Sequence, residues 1–209
     1  TKCLLFVLGN AMLFLISCQR SLELPIEETQ LMNSSENLAV MAINSVGSNI
    51  QEFDEKVTGQ KESVDRMRVG NPWSDFEPTG YYLLPNTAMS LTVEQLSGST
   101  LPKLLIGSYS RDTLRWDPLS IQLTAGVNNI PADALGGMLW IRFITSGTPS
   151  AKVRITFNSG AIRVPVYVKD QTSDWQAQLN TYTNAPDVLL INDHVYIQYA
   201  RSRAVNTTG

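Results

Sequence analysis

Side chains able to carry chemistry are few in this sequence. It holds one histidine, His194, and two cysteines, Cys3 and Cys18. A catalytic zinc site draws three protein ligands, mostly His, Cys or carboxylate. No H-E-x-x-H pair and no cysteine cluster occurs, so the reading assigns this chain no catalytic residue, no metal ligand and no cofactor. Asp193 beside His194 suggests acid–base work. The same run, Asn192-Asp193-His194, also stands where a polar turn must precede the alternation of Val195, Ile197 and Tyr199, and the turn is the preferred reading. A serine hydrolase using His194 as base would need a G-x-S-x-G elbow, which is missing. Gly136-Gly137 is a bare pair rather than a phosphate cradle, and the acidic residues are scattered singly, so no calcium loop is visible.

Aromatic residues offer a different chemistry. Tyr81, Tyr82, Tyr109, Trp116, Trp140 and Tyr167 fall in or near segments that read as strands. Trp116 stands out, because its loop also carries Arg111, Asp112, Arg115 and Asp117. A ring face beside a few charged hydrogen-bonding groups is how a protein holds a sugar. Trp116, Arg111, Asp112 and Arg115 are therefore candidate glycan contacts. The competing reading is that these rings fill a core or cover a strand surface, as large aromatics commonly do.

These residues must be positioned by a scaffold, and composition bounds it. The chain has 209 residues, 43% of them apolar and 17% charged, with a net charge of −3. That apolar content suffices to offset the ordering entropy of one good domain with appendages. The missing basic excess argues against a nucleic-acid partner.

Residues 1–17 read as an address label. Lys2 supplies a positive start, Leu4 to Ile16 form an apolar run shorter than a membrane span, and Leu15-Ile16-Ser17-Cys18 follows. That ending resembles the lipobox of bacterial lipoproteins. The resemblance implies cleavage before Cys18 and lipidation of its thiol, with attachment to a membrane through the anchor. An ordinary secretion signal and an uncleaved anchor helix are the alternatives. With Cys3 discarded no disulfide framework remains. The expected location is the bacterial cell envelope, at the outer membrane or cell surface.

Residues 18–34 mix charge, a proline and scattered apolars, as a tether does. Over 35–70 the positions Ala39, Ala42, Val46, Ile50, Phe53 and Val57 step by three or four, which predicts an amphipathic helix with a shorter helical stretch after it. From Phe76 the period changes to two. Met89-Leu91-Val93, Ile121-Leu123, Val153-Ile155-Phe157, Val164-Val166-Val168 and Val195-Ile197-Tyr199 alternate with polar residues and predict half-buried antiparallel strands. Leu104–Tyr109 and Met138–Thr145 are more continuously apolar and suit central strands. Turn residues separate these runs. The expected fold is mainly β, an antiparallel β-sandwich over 71–203 preceded by an amphipathic helix. One short helix is expected near 173–182, where Ser173 suits a cap and Trp175 and Leu179 are four apart. Residues 204–209 read as a truncated end of a longer protein.

Several segments together resemble a known family. Phe76-Glu77-Pro78-Thr79-Gly80-Tyr81-Tyr82-Leu83-Leu84-Pro85 is similar to the opening of the catalytic module of enhancin-like, mucin-degrading zinc metallopeptidases, peptidase family M-sixty. Leu104-Leu105-Ile106-Gly107, Leu123 through Ile130, Gly136-Gly137 before Met138-Leu139-Trp140-Ile141, Ser173-Asp174-Trp175 through Leu179, and Ala185-Pro186 follow in the family's order. The resemblance spans about residues 66–200. It implies a β-sandwich leading into a zinc-binding fold whose ligands sit in H-E-x-x-H plus a distal glutamate. No such residue can be carried over here, so zinc is expected only in a missing downstream region. The expectation is a lipid-anchored, non-catalytic N-terminal part of a surface zinc metallopeptidase acting on mucin-like O-glycoproteins. A complete surface module binding carbohydrate or glycoprotein, and a structural surface lipoprotein without a ligand, are the alternatives.

Overall fold

A computed structural model of the chain describes residues 45–59, 75–109, 114–192 and 195–205. Fourteen strands are described, in three sheets and one short pair. The first sheet takes Ile50–Asp54 (β1), Thr87–Ser97 (β4), Gly126–Asp133 (β7) and Lys152–Ser159 (β10), in the order β1-β10-β4-β7 and antiparallel throughout. The second takes Glu77–Leu83 (β3), Lys103–Ile106 (β5), Leu119–Gln122 (β6), Gly137–Arg142 (β8) and Ala161–Arg163 (β11), in the order β11-β3-β8-β5-β6, also antiparallel. Lys56–Val57 (β2) and Ile144–Thr145 (β9) form a parallel pair. The first two sheets face each other as a sandwich, as the alternating patterns predict. Met89, Leu91 and Val93 of β4 and Val153, Ile155 and Phe157 of β10 point inward onto Leu104, Ile106, Leu139 and Ile141 of the second sheet.

A third sheet lies on the sandwich. It takes Val166–Val168 (β12), Asp187–Asn192 (β13) and Val195–Ala200 (β14). Its Val166, Leu189 and Ile191 pack on Leu105, Met138 and Trp140, the outward side chains of β5 and β8. The second sheet is thus buried on both faces, which is why β5 and β8 read as unbroken apolar runs rather than alternating ones. Trp175–Thr181 (α1) and Arg201–Ala204 (α2) cover part of the far side of the third sheet, where Leu179, Val188 and Ala204 meet.

The helix expected near 173–182 is present as α1, with Leu179 buried as the four-residue spacing requires. Asp174 rather than Ser173 takes the cap position, without a side-chain capping bond. Three expectations are corrected. Residues Ile50, Phe53 and Val57 lie on strands and Val46 in a turn, not on an amphipathic helix; residues 35–44 and 60–70 of the expected helical segment lie outside the described residues. The reason is that β1 alternates, with Gln51 and Phe53 buried, and Glu55 is buried just beyond it. Gln51 donates to Thr79 O at 2.7 Å and Ser48 O at 2.8 Å, and Glu55 Oε2 accepts the N–H groups of Ser150 and Ala151. Buried polar residues satisfied this way leave no apolar period in the sequence. Second, Val166–Val168 pairs with β13 in parallel, not antiparallel, because the intervening α1 provides the crossover a parallel pair needs. Third, Val195, Ile197 and Tyr199 are exposed at 48%, 45% and 38% rather than half-buried, since β14 is the edge of its sheet and the helices stop short of that face.

Candidate functional site

A cleft between the second and third sheets gathers polar side chains from both. β5 stops at Ile106, and Gly107 follows with φ +91°. Gly137 opens β8 against it; a Cβ on Gly137 would lie 2.5 Å from Gly107 Cα. This close approach leaves no room for a Cβ on Gly137, and the positive φ favours glycine at 107. It leaves a recess floored by backbone and walled by side chains from both sheets.

One wall is built on Arg115. Its Nη1 donates to both oxygens of Asp133 at 2.9 Å, and its Nη2 donates to Gly136 O at 2.7 Å. Asp133 Oδ2 also accepts the Gly136 N–H at 2.6 Å. The pair is mostly shielded, with side-chain exposures of 19% and 14%. Three charge-assisted bonds fix the guanidinium as one rigid piece with the loop entering β8.

The opposite wall comes from the third sheet. Asp187 opens β13 and is 4% exposed. Gln198 of β14 donates through Nε2 to Asp187 Oδ2 at 2.5 Å and accepts through Oε1 from the Ser108 hydroxyl. The amide is therefore held at both ends and ties the Gly107-Ser108 turn to the third sheet. Tyr82, Leu135 and Pro186 complete a cleft of about 240 Å³.

Of the sequence-predicted contacts, Arg115 lines this cleft. Trp116 does not line it and stands 70% exposed to solvent. Arg111 and Asp112 lie outside the described residues, as do Cys18, Asp193 and His194. Tyr81 and Trp140 are core residues, 6% and 5% exposed, and Tyr81 stacks on Phe157 with ring centroids 4.4 Å apart. Tyr109 is exposed and stacks on Phe76, and Tyr167 meets Trp175 edge-on. Ser108, Asp133, Asp187 and Gln198 carry no motif, and sequence reasoning misses them because two sheets distant in sequence bring them together. Gly136-Gly137 is the one visible signal, and its use is close packing.

The described residues contain no group of three or more His, Cys, Asp or Glu able to hold a metal ion. These described residues therefore do not fit a zinc ion. The cleft offers fixed donors and acceptors beside small apolar surfaces.

Outside the cleft, burial raises the Glu77 carboxyl above its ordinary value, and Lys56 Nζ, 2.8 Å from Oε2, opposes that rise. Burial likewise raises the Tyr196 phenol. The motif residues Pro78-Thr79-Gly80 serve the fold. Thr79 Oγ1 donates to Leu139 O at 2.7 Å across a break in the β3–β8 register, and Asn128 closes the turn before β7 with bonds to Thr124 and Gly126.

Comparisons with known proteins agree with this architecture. Residues 58–158 match the family model for the N-terminal domain of M60-like peptidases. No curated protein matches the chain. Among solved structures, the catalytic module of the metalloprotease ZmpA from Clostridium perfringens superposes with a TM-score of 0.61 at 22% identity, over 78% of this chain and 36% of that one. The M60 catalytic domain of ZmpC from Clostridium perfringens, in complex with the sialyl T antigen, gives 0.58 at 18% identity, over 75% and 34%. A conserved protein of unknown function from Bacillus anthracis str. Ames gives 0.59 at 19% identity, over 75% and 31%. At these identities the likeness is one of fold, and this chain spans about a third of the length of those chains. The sandwich and the order of its motifs agree with the matched segment: residues 58–158 are similar to the N-terminal domain of M60-like peptidases.

Proposed function

We propose that this chain is the lipid-anchored, non-catalytic N-terminal part of a surface zinc metallopeptidase that acts on mucin-like O-glycoproteins. The observation that carries the reading is the match of residues 58–158 to the N-terminal domain of M60-like peptidases. The fold shared with metalloprotease catalytic modules supports it, and so does the glycan held by one of them, the ZmpC domain in complex with the sialyl T antigen. In this reading Cys18 bears the lipid, the sandwich is the platform on which a downstream zinc module is built, and Trp116, Arg111, Asp112 and Arg115 contact glycan.

The test reads the gene beyond residue 209 and expresses the extended protein. An in-frame H-E-x-x-H, one zinc per chain and cleavage of an O-glycosylated mucin substrate are expected, with Cys18→Ser moving the protein from the membrane to the soluble fraction. A stop codon directly after this segment sinks the peptidase part of the proposal. A wild-type protein that is soluble from the start sinks the anchor.

A further inference from the structure

We propose that a recess between the end of β11 and the loop leading into α1 is a subsite for one acidic sugar residue; this rests on the reading of the parent protein as one that engages glycoproteins. Arg163, the last residue of β11, forms one side of it. Its guanidinium lies over the Tyr182 ring, 5.1 Å from the centroid, and makes no hydrogen bond and no ion pair among the described residues. Gly47 leaves it room, since a Cβ there would lie 3.3 Å from Arg163 Nη2. A guanidinium held by an aromatic ring keeps its donor fork free, and that fork matches a carboxylate with two parallel bonds.

The facing wall is ordered before a ligand arrives. The Val166 N–H donates to Gln178 Oε1 at 2.8 Å, Gln178 Nε2 donates to Asp174 Oδ1 at 2.9 Å, and the Val168 N–H donates to Thr172 Oγ1 at 2.8 Å. Groups already ordered lose little entropy on binding. Asp174 is the other charged residue of the lining, and no ion pair joins it to Arg163 or to any other cation among the described residues. Gln171 and Ser173 line the same recess, with side chains that make no hydrogen bond among the described residues. Val46, Val166 and Val168 supply apolar surface.

One cation and one carboxylate, each without a charge partner, decide the class of ligand. A bare anion meets the attraction of Arg163 and the repulsion of Asp174 together. A molecule with a carboxylate on one side and O–H or N–H donors on the other satisfies both, the carboxylate on Arg163 and the donors on Asp174. Acidic sugars carry these features on one ring, with C–H faces for the valines. A neutral sugar leaves the Arg163 fork unused. At about 230 Å³ the recess lies below the roughly 300–1,000 Å³ of pockets that hold drug-sized molecules, so it takes one ring and leaves the rest of a glycan outside.

The experiment titrates the full chain with N-acetylneuraminic acid, glucuronic acid, galactose and N-acetylgalactosamine, followed by ligand-observed NMR and calorimetry. Saturable binding of at least one acidic sugar is expected in about the millimolar range usual for a ligand of this size, and the two acids together tell which source of carboxylate is read. Both neutral sugars are expected to bind at least about tenfold more weakly. Arg163→Gln is expected to weaken acidic-sugar binding by about tenfold or more, and Arg163→Lys, which keeps the charge and loses the fork, to fall between it and the wild type. Arg203→Gln removes an exposed cation of α2 outside the recess and is expected to change nothing. Thermal melts report folding, and Arg163→Lys decides where the glutamine variant unfolds. No saturable binding of either acidic sugar overturns the proposal. So does neutral-sugar binding as tight as acidic, or a loss in Arg203→Gln equal to that in the Arg163 variants. Acidic-sugar binding here with neither zinc nor cleavage in the extended protein contradicts the peptidase reading and leaves the subsite standing; cleavage without sugar binding here does the opposite.

Discussion

Gly80 shows how much one residue of the matched motif contributes to the fold. It holds φ +74°, a conformation that side chains rarely adopt, and a Cβ there would lie 2.6 Å from the Gly47 nitrogen and 2.8 Å from its Cα. That contact exists because the Gly47 N–H donates to Thr79 O at 2.9 Å, drawing the segment before β1 onto β3. Gly80→Ala combines backbone strain with a steric clash, so a loss of about 1–3 kcal/mol is expected in urea unfolding. An unchanged midpoint would show that the close approach is unimportant. Glu77 makes a second prediction, about pH. Burial raises its folded-state pKa above the ordinary 4.5, so the native state holds the proton more tightly than the unfolded chain does. The resulting stability is complete below about 4.5 and is lost as pH rises through the raised value. Glu77→Gln keeps the shape and removes the titration. Its stability is expected to change less with pH across that window than the wild type's, and denaturant midpoints at a series of pH values check it; identical slopes would contradict the argument. Little of this is legible in the sequence. Proline, threonine and glycine in a row mark a motif, but only the contact with Gly47 shows why the glycine is needed.

Among the elements, β8 is the one on which the layers depend. Its successive residues point to opposite faces: Leu139 and Ile141 into the sandwich, Met138 and Trp140 toward the third sheet. All four are buried. Leu139→Ala is expected to cost about 2–5 kcal/mol through lost apolar contact and the cavity left behind. By contrast Ile197→Ser, on the open face of β14, is expected to stay within about 0.5 kcal/mol. Chemical denaturation of the two variants separates the cases, and equal losses would mean that β14 is covered or that β8 relaxes. The continuous apolar run of β8 announces its central place, because a strand buried on both sides cannot alternate. The run through β1 misleads for the opposite reason. Gln51 and Glu55 point inward with polar side chains whose partners lie on distant strands, so helical spacing of the remaining apolar residues is the only pattern visible.

At the scale of the whole molecule, three sheets share two apolar seams, and the polar cleft opens where the second seam ends. The seam between the second and third sheets couples the part matched by the family model to residues beyond it, since Val166, Leu189 and Ile191 lie past residue 158. The βαβ crossover through α1 is what brings Asp187 beside the Gly107 turn; an antiparallel continuation of the sandwich would have carried it elsewhere. The structural neighbours run about three times the matched length.

The sequence by itself determined the class of fold, most of the strands and the short helix, because local periodicity records which side chains face a core. The order of its motifs, Pro78-Thr79-Gly80 and Gly136-Gly137 among them, also carries the resemblance to the M60-like family, and the structure shows those glycines at tight backbone approaches that few residues tolerate. Tertiary structure alone decided the parallel pairing of β12, the strand at β1 and the cleft of Ser108, Arg115, Asp187 and Gln198. Those features depend on hydrogen bonds between residues tens of positions apart, and such partners leave no periodic mark along the chain.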